Sequence, residues 1–80
     1  MKILVYGSLA DAIGPEIELD HAGGCRVGEL FRQLAADHPD SAARIASDRV
    51  RVCVGDTLVT ADHLVQAGDT VELLSPVSGG

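Results

Sequence analysis

Two neighbouring stretches with different periods decide the fold. They are Glu16-Ile17-Glu18-Leu19-Asp20 and Val27-Gly28-Glu29-Leu30-Phe31-Arg32-Gln33-Leu34-Ala35-Ala36-Asp37. The first alternates polar and apolar residues strictly, as a half-buried strand does. In the second, Val27, Leu30, Phe31, Leu34 and Ala35 recur at helical spacing, with Glu29, Arg32, Gln33 and Asp37 on the other face. His21 to Cys25, punctuated by Gly23-Gly24, is the loop between them. Pro39 sets the helix end, because the residue before a proline disfavours the α region. The helix start is weakly signalled, since Arg26 stands where a Ser, Thr or Asp cap is usual.

Outward from this pair, Lys2 to Tyr6 alternates as well. Ile3 and Val5 point one way, and Lys2, Leu4 and Tyr6 the other. Ser8 to Ile13 is short and mixed, and Gly14-Pro15 marks a turn, so the first two strands form a hairpin with a long connection. Asp40 to Ser47 reads as a short helical turn capped by Asp40 or Ser41. Val50 to Val54 is a strand, Gly55-Asp56 a turn, and Leu58-Val59 pairs back. Asp62 to Val65 is expected to form a helical turn, Gln66 to Asp69 another turn, and Thr70 to Ser75 the last strand. Pro76-Val77-Ser78-Gly79-Gly80 does not continue it. The fold class is therefore α+β, with one main helix packed on one face of a mixed four- to five-stranded sheet. The first and last strands are expected side by side in its middle. The expected core is Ile3, Val5, Ile17, Leu19, Val27, Leu30, Phe31, Leu34, Val52, Val54, Leu58, Val71 and Leu73.

Composition narrows the function. Eighty residues make one domain with little room for a deep cleft. With one Tyr, one Phe and no Trp, the chain lacks stacking platforms for single-stranded nucleic acid. A net charge of -6 repels phosphate backbones and anionic lipid, and suits an acidic protein that docks on basic protein surfaces. No nucleic acid and no membrane is expected as partner. No stretch is long enough to span a bilayer, and the apolar start breaks at Gly7 without a signal-peptide pattern. A cytoplasmic location is expected. Cys25 and Cys53 are too few for a disulfide framework and read as small apolar fillers with free thiols.

Catalytic constellations are thin. His21, His38 and His63 show no helical pairing, and no four-ligand metal set is evident, so no metal is expected. Two cysteines also fall short of the four that an iron–sulfur cluster needs. One helix leaves one sheet face uncovered, and strand parity places Leu4, Tyr6, Cys53 and Leu74 there as an apolar contact patch. The end of the chain is the distinctive part. At average glycine usage of about 7%, a closing Gly pair arises by chance in only about 0.5% of chains. Gly79 and Gly80 lack Cβ and thread a narrow channel without side-chain clash. The terminal carboxylate is ionised at neutral pH and becomes a reactive acyl group once joined to AMP.

The helix-over-sheet order, the ending Ser75-Pro76-Val77-Ser78-Gly79-Gly80, the run Gly68-Asp69-Thr70-Val71 before the last strand and the helix start Val27-Gly28-Glu29-Leu30 resemble the MoaD/ThiS-type sulfur carriers. Within that ubiquitin-like β-grasp family the tail is most similar to the small subunits of molybdopterin synthase. The resemblance implies a β-grasp domain over residues 1–75 and a flexible tail over 76–80. It implies that Gly80 is adenylated with ATP by a ubiquitin-activating-like adenylyltransferase, then thiocarboxylated by a sulfur donor protein. Its sulfur then passes to cyclic pyranopterin monophosphate in the large synthase subunit, which holds the catalytic pocket. No permanently bound cofactor is implied. Gly79 gives passage, Pro76 and Val77 orient the tail, and Leu74 contacts the partner. Leu74 stands where the family usually has Phe, Ser75 where a first Pro is frequent, and Gly55-Asp56 where Asn-Gly or Asn-Gln is common. The rivals are a carrier for thiazole synthesis and an unactivated ubiquitin-like module that binds through the sheet face.

Overall fold

The computed structural model describes residues 1–19 and 24–76. Strand β1 (Lys2–Tyr6) is an inner strand of the main sheet. Helix α1 (Ser8–Ile13) connects it to β2 (Glu16–Glu18), which pairs antiparallel with β1. A short β3 (Cys25–Arg26) leads into the main helix α2 (Val27–Asp37), whose bounds match those read from its periodicity. A 3-10 turn (Pro39–Ser41) and α3 (Ala42–Ile45) follow. Strands β4 (Arg51–Val54), β5 (Thr57–Val59), β6 (Leu64–Val65) and β7 (Val71–Leu74) come next.

The five-stranded sheet has the order β2-β1-β7-β4-β5. Strands β1 and β7 are adjacent, as expected, and they are parallel, while the other neighbours are antiparallel. Ile3, Val5, Val52, Val54, Val71 and Leu73 point to the helix side and are buried. Val27, Leu30 and Leu34 of α2 meet them. Each such side chain contributes roughly 1.5–3 kcal/mol by leaving water.

Among the described residues, four buried hydrophobic side chains were not in the expected core: Leu9, Cys25, Ile45 and Val65. Leu9 and Ile13 are four apart on α1, so the mixed run is a short helix that packs one edge into the core. Residues 64–65 are not a helical turn. They form β6, paired antiparallel with β3 in a separate two-stranded ribbon, which buries Val65 and exposes Leu64. That ribbon also explains the missing cap on α2. The Glu29 carboxylate accepts from the Arg26 N–H at 3.2 Å. Carbonyls of His63 and Ala61 accept from the first helical amides, Val27 and Gly28, at 3.0 Å each. A neighbouring loop thus satisfies the orphan donors that a Ser or Asp would have taken.

Leu58 is the one expected core residue that the structure contradicts outright, at 64% exposed. Gly55 and Asp56 both have positive φ, 57° and 68°, and form a two-residue hairpin turn. That turn sets Val54 opposite Thr57, Cys53 opposite Leu58 and Val52 opposite Val59. Val59 therefore faces the core, and Leu58 faces the other way. Ile17 and Phe31 are only partly buried, packed against the core's edge.

Candidate functional site

Among the described residues, those expected to act fall on two connected regions, the open sheet face and the root of the tail. Register places the open face in rows. Leu4, Glu72, Cys53 and Leu58 lie side by side across four strands, with Glu16 beyond Leu4. Tyr6, Leu74 and Arg51 form the next row. Neighbouring strands are about 4.8 Å apart, so each row is a continuous strip. Tyr6 and Leu74 are exposed, and Leu4 and Cys53 are half-buried. The structure thus brings together the four residues expected there and adds Leu58. The two-residue turn already in the sequence would have placed it, because that turn fixes the register.

The face is not uniformly apolar. Glu72 sits between Leu4 and Cys53. The Tyr6 hydroxyl is hydrogen-bonded to Glu72, which raises its pKa from the ordinary 10.0, with desolvation adding to the rise. Arg51 supplies a cation beside Leu74. Lys2 approaches Glu16 at 3.8 Å with both side chains exposed, a pair worth little to stability. The result is a patch of aliphatic and aromatic surface with a hydrogen-bonded polar centre and charged margins. Such a make-up suits a protein contact more than a folding role.

The tail root is held tightly. Strand β7 ends at Leu74, and the Ser75 N–H still donates to the Tyr6 carbonyl at 3.1 Å. The Ser75 hydroxyl donates to the same carbonyl at 2.7 Å and accepts from the Leu9 N–H at 2.9 Å. The Ser8 N–H donates to the Pro76 carbonyl at 2.7 Å. Gly7 makes this approach possible. Its φ is +83°, and a Cβ there would overlap the Ser75 carbonyl. Sequence reading treated Gly7 as a break and Ser75 as a strand end, and it missed this junction. The signal lies 66 residues away from α1, beyond the reach of local pattern.

Gly79, Gly80 and Val77 lie outside the described residues, as does His21. Among the described residues no three His, Cys, Asp or Glu side chains gather as metal ligands. No helix there is long and apolar enough to cross a membrane. Both cysteines are free thiols. Cys25 is buried in the core, where desolvation and then the charge of Glu29 push its pKa up. It is the inert filler expected, whereas Cys53 lies on the open face.

Comparison with known proteins gives this geometry a context. The model of the ThiS family matches residues 3–80, nearly the whole chain. The chain belongs to the ThiS family. It is 28% identical over 80 residues to the molybdopterin synthase sulfur carrier subunit of Escherichia coli strain K12, covering all of this chain and 99% of that one. The crystal structure of SAMP1 from Haloferax volcanii superposes with a TM-score of 0.81 at 26% identity, over 99% of this chain and 97% of that one. A candidate molybdopterin converting factor subunit 1 from Pyrococcus furiosus superposes at 0.75 with 20% identity, over 95% of both chains. The shared fold is the ubiquitin-like β-grasp. Its features here are the central parallel pair β1 and β7 and the helix α2 lying across one face.

Proposed function

We propose that this ThiS-family chain is a sulfur carrier and the small subunit of a molybdopterin synthase. The observation that carries the reading is the full-length likeness to a sulfur carrier subunit, in a chain whose last residues are Gly79-Gly80. The chemistry runs through the Gly80 carboxylate. Its oxygen attacks the α-phosphate of ATP on an adenylyltransferase, giving the acyl adenylate and pyrophosphate. A hydrosulfide sulfur from a donor protein adds to the acyl carbon and expels AMP, leaving a thiocarboxylate. In the large subunit this sulfur is transferred to cyclic pyranopterin monophosphate. The β-grasp body contributes recognition: Leu74, Tyr6, Leu4 and Cys53, now joined by Leu58, dock on the partner. Pro76 and Val77 deliver the tail, and Gly79 passes the channel. The net charge of -6 favours a basic docking surface and a salt-sensitive association.

The likeness to SAMP1, a modifier protein, favours a second reading in which an amine attacks the activated Gly80 carbonyl in place of sulfur. One experiment separates the two. The chain is incubated with its host's adenylyltransferase, ATP and a sulfur donor, and its intact mass is followed. Exchange of one oxygen for sulfur at Gly80 supports the carrier. Amide-linked conjugates without that exchange support the modifier. A chain lacking Gly80 that gains sulfur as readily as the full chain would overturn both.

A further inference from the structure

The N-terminus of α1 leaves backbone donors that the helix itself does not satisfy. Gly7, at the cap position, has no side chain to offer them. The cap comes instead from the far end of the chain. The Ser75 hydroxyl takes the Leu9 N–H, and the Pro76 carbonyl takes the Ser8 N–H. The same hydroxyl donates to the Tyr6 carbonyl, so its donor and one acceptor site are both used across the junction of β1, α1 and β7. Proline locks φ near -65°. With Ser75 held on both sides and the Pro76 carbonyl fixed, the backbone leaves Pro76 from a set point in a set direction.

We propose that Ser75 is a positioning residue for acyl transfer at Gly80. It holds the root of the tail on α1 and so fixes the exit of the chain at Pro76, from which Gly80 is presented to the partner. The proposal rests on the carrier reading of Gly80. Holding a reactant in line is worth large rate factors, and a small misplacement remote from the reacting bond already lowers the rate. The open face is not part of this clamp, so docking affinity is left to Leu74 and its neighbours.

Ser75→Ala removes the bridge without altering the backbone, and Ser75→Thr keeps the hydroxyl. Thiocarboxylation of the intact chain is measured with the adenylyltransferase, ATP and sulfide, alongside amide hydrogen exchange. In Ser75→Ala we expect kcat to fall about tenfold with KM unchanged, and Ser75→Thr to recover kcat. We expect the Leu9 amide to exchange about fivefold faster in Ser75→Ala, the loss of one hydrogen bond, with Val5 and Leu73 still protected. Wild-type kcat in Ser75→Ala would overturn the proposal. So would a fall in kcat that tracks lost protection across the core, since a merely structural role produces that. If the wild-type chain takes up no sulfur at all, the carrier reading fails instead. Leu9 exchange then judges the clamp alone, and an unchanged rate in Ser75→Ala refutes it.

Discussion

The two faces of the main sheet are built from alternate residues of the same strands, yet they serve different ends. On the covered face, Ile3, Val5, Val71, Leu73, Val52 and Val54 are all buried under α2. On the open face, Leu4, Tyr6, Leu74 and Cys53 stand on the same strands, with Leu58 on the neighbouring β5, and remain exposed or half-exposed. Hydrophobicity alone does not distinguish the sets. The difference is the polar content between the side chains. The six covered positions are all apolar, while the open face carries Glu72 at its centre and Arg51, Glu16 and Lys2 at its margins. Apolar residues interleaved with charge gain little by folding and much by contact with a complementary surface. One strand sequence thus encodes a core on one side and an open, charge-flecked apolar face on the other, with parity keeping them apart.

The largest break in this comparison comes from the covered side. Ile3 is fully buried at 0% exposure. Ile3→Ala removes its contacts and leaves a cavity, and it is expected to cost about 2–5 kcal/mol. At roughly 4–8 °C per kcal/mol for a domain of this size, thermal unfolding should shift by about 8 °C or more. A shift of only a few degrees would mean that the covered face is not the cooperative core.

Next in size is a change on the open side. Leu74 is 36% exposed and neighbours Tyr6 and Arg51. Leu74→Asp should alter stability by less than about 1 kcal/mol, the span of strand preferences. Binding to the proposed large-subunit partner should weaken about tenfold, or about 1.4 kcal/mol, as for a central contact residue. Titration calorimetry at fixed salt measures it. Unaltered affinity together with a large loss of stability would show that the two faces had been assigned the wrong way round.

How much of this was legible in the sequence depends on the range of the signal. The strands at Lys2–Tyr6 and Arg51–Val54 and the bounds of α2 carry their period within themselves, and reading them locally was enough. Leu58 was legible but misread: a two-residue turn at Gly55-Asp56 fixes its partner as Cys53 and hence its face. Val65 and Leu9 were harder. A two-residue strand and a six-residue helix are too short for a period to show. The Ser75 junction was not legible at all, because Leu9, Gly7 and Ser75 meet only once β1 and β7 lie side by side. Of the candidate site, the patch followed from parity and the family from the tail. The clamp between them needed the three-dimensional structure.

The smallest expected effect tests whether the polar centre of the open face matters to the fold. Tyr6 is 46% exposed, and its hydroxyl meets Glu72. Tyr6→Phe keeps the ring and removes that hydrogen bond, so at neutral pH stability should change little. The pH dependence is the sharper probe. The hydrogen bond to Glu72, then desolvation, then the carboxylate charge hold the folded pKa above 10.0. The contribution of Tyr6 is therefore fully present below the ordinary tyrosine value. As pH rises past it, the unfolded chain releases the proton while the folded chain keeps it, so the unfolded state binds fewer protons and stability falls. The fall ends once pH passes the raised folded value. Tyr6→Phe should lack this slope, and denaturant titrations across the alkaline range compare the two. Equal slopes would show that Tyr6 and Glu72 are not coupled in the folded protein. The open face would then be a set of separate side chains, and only a partner would make a site of them.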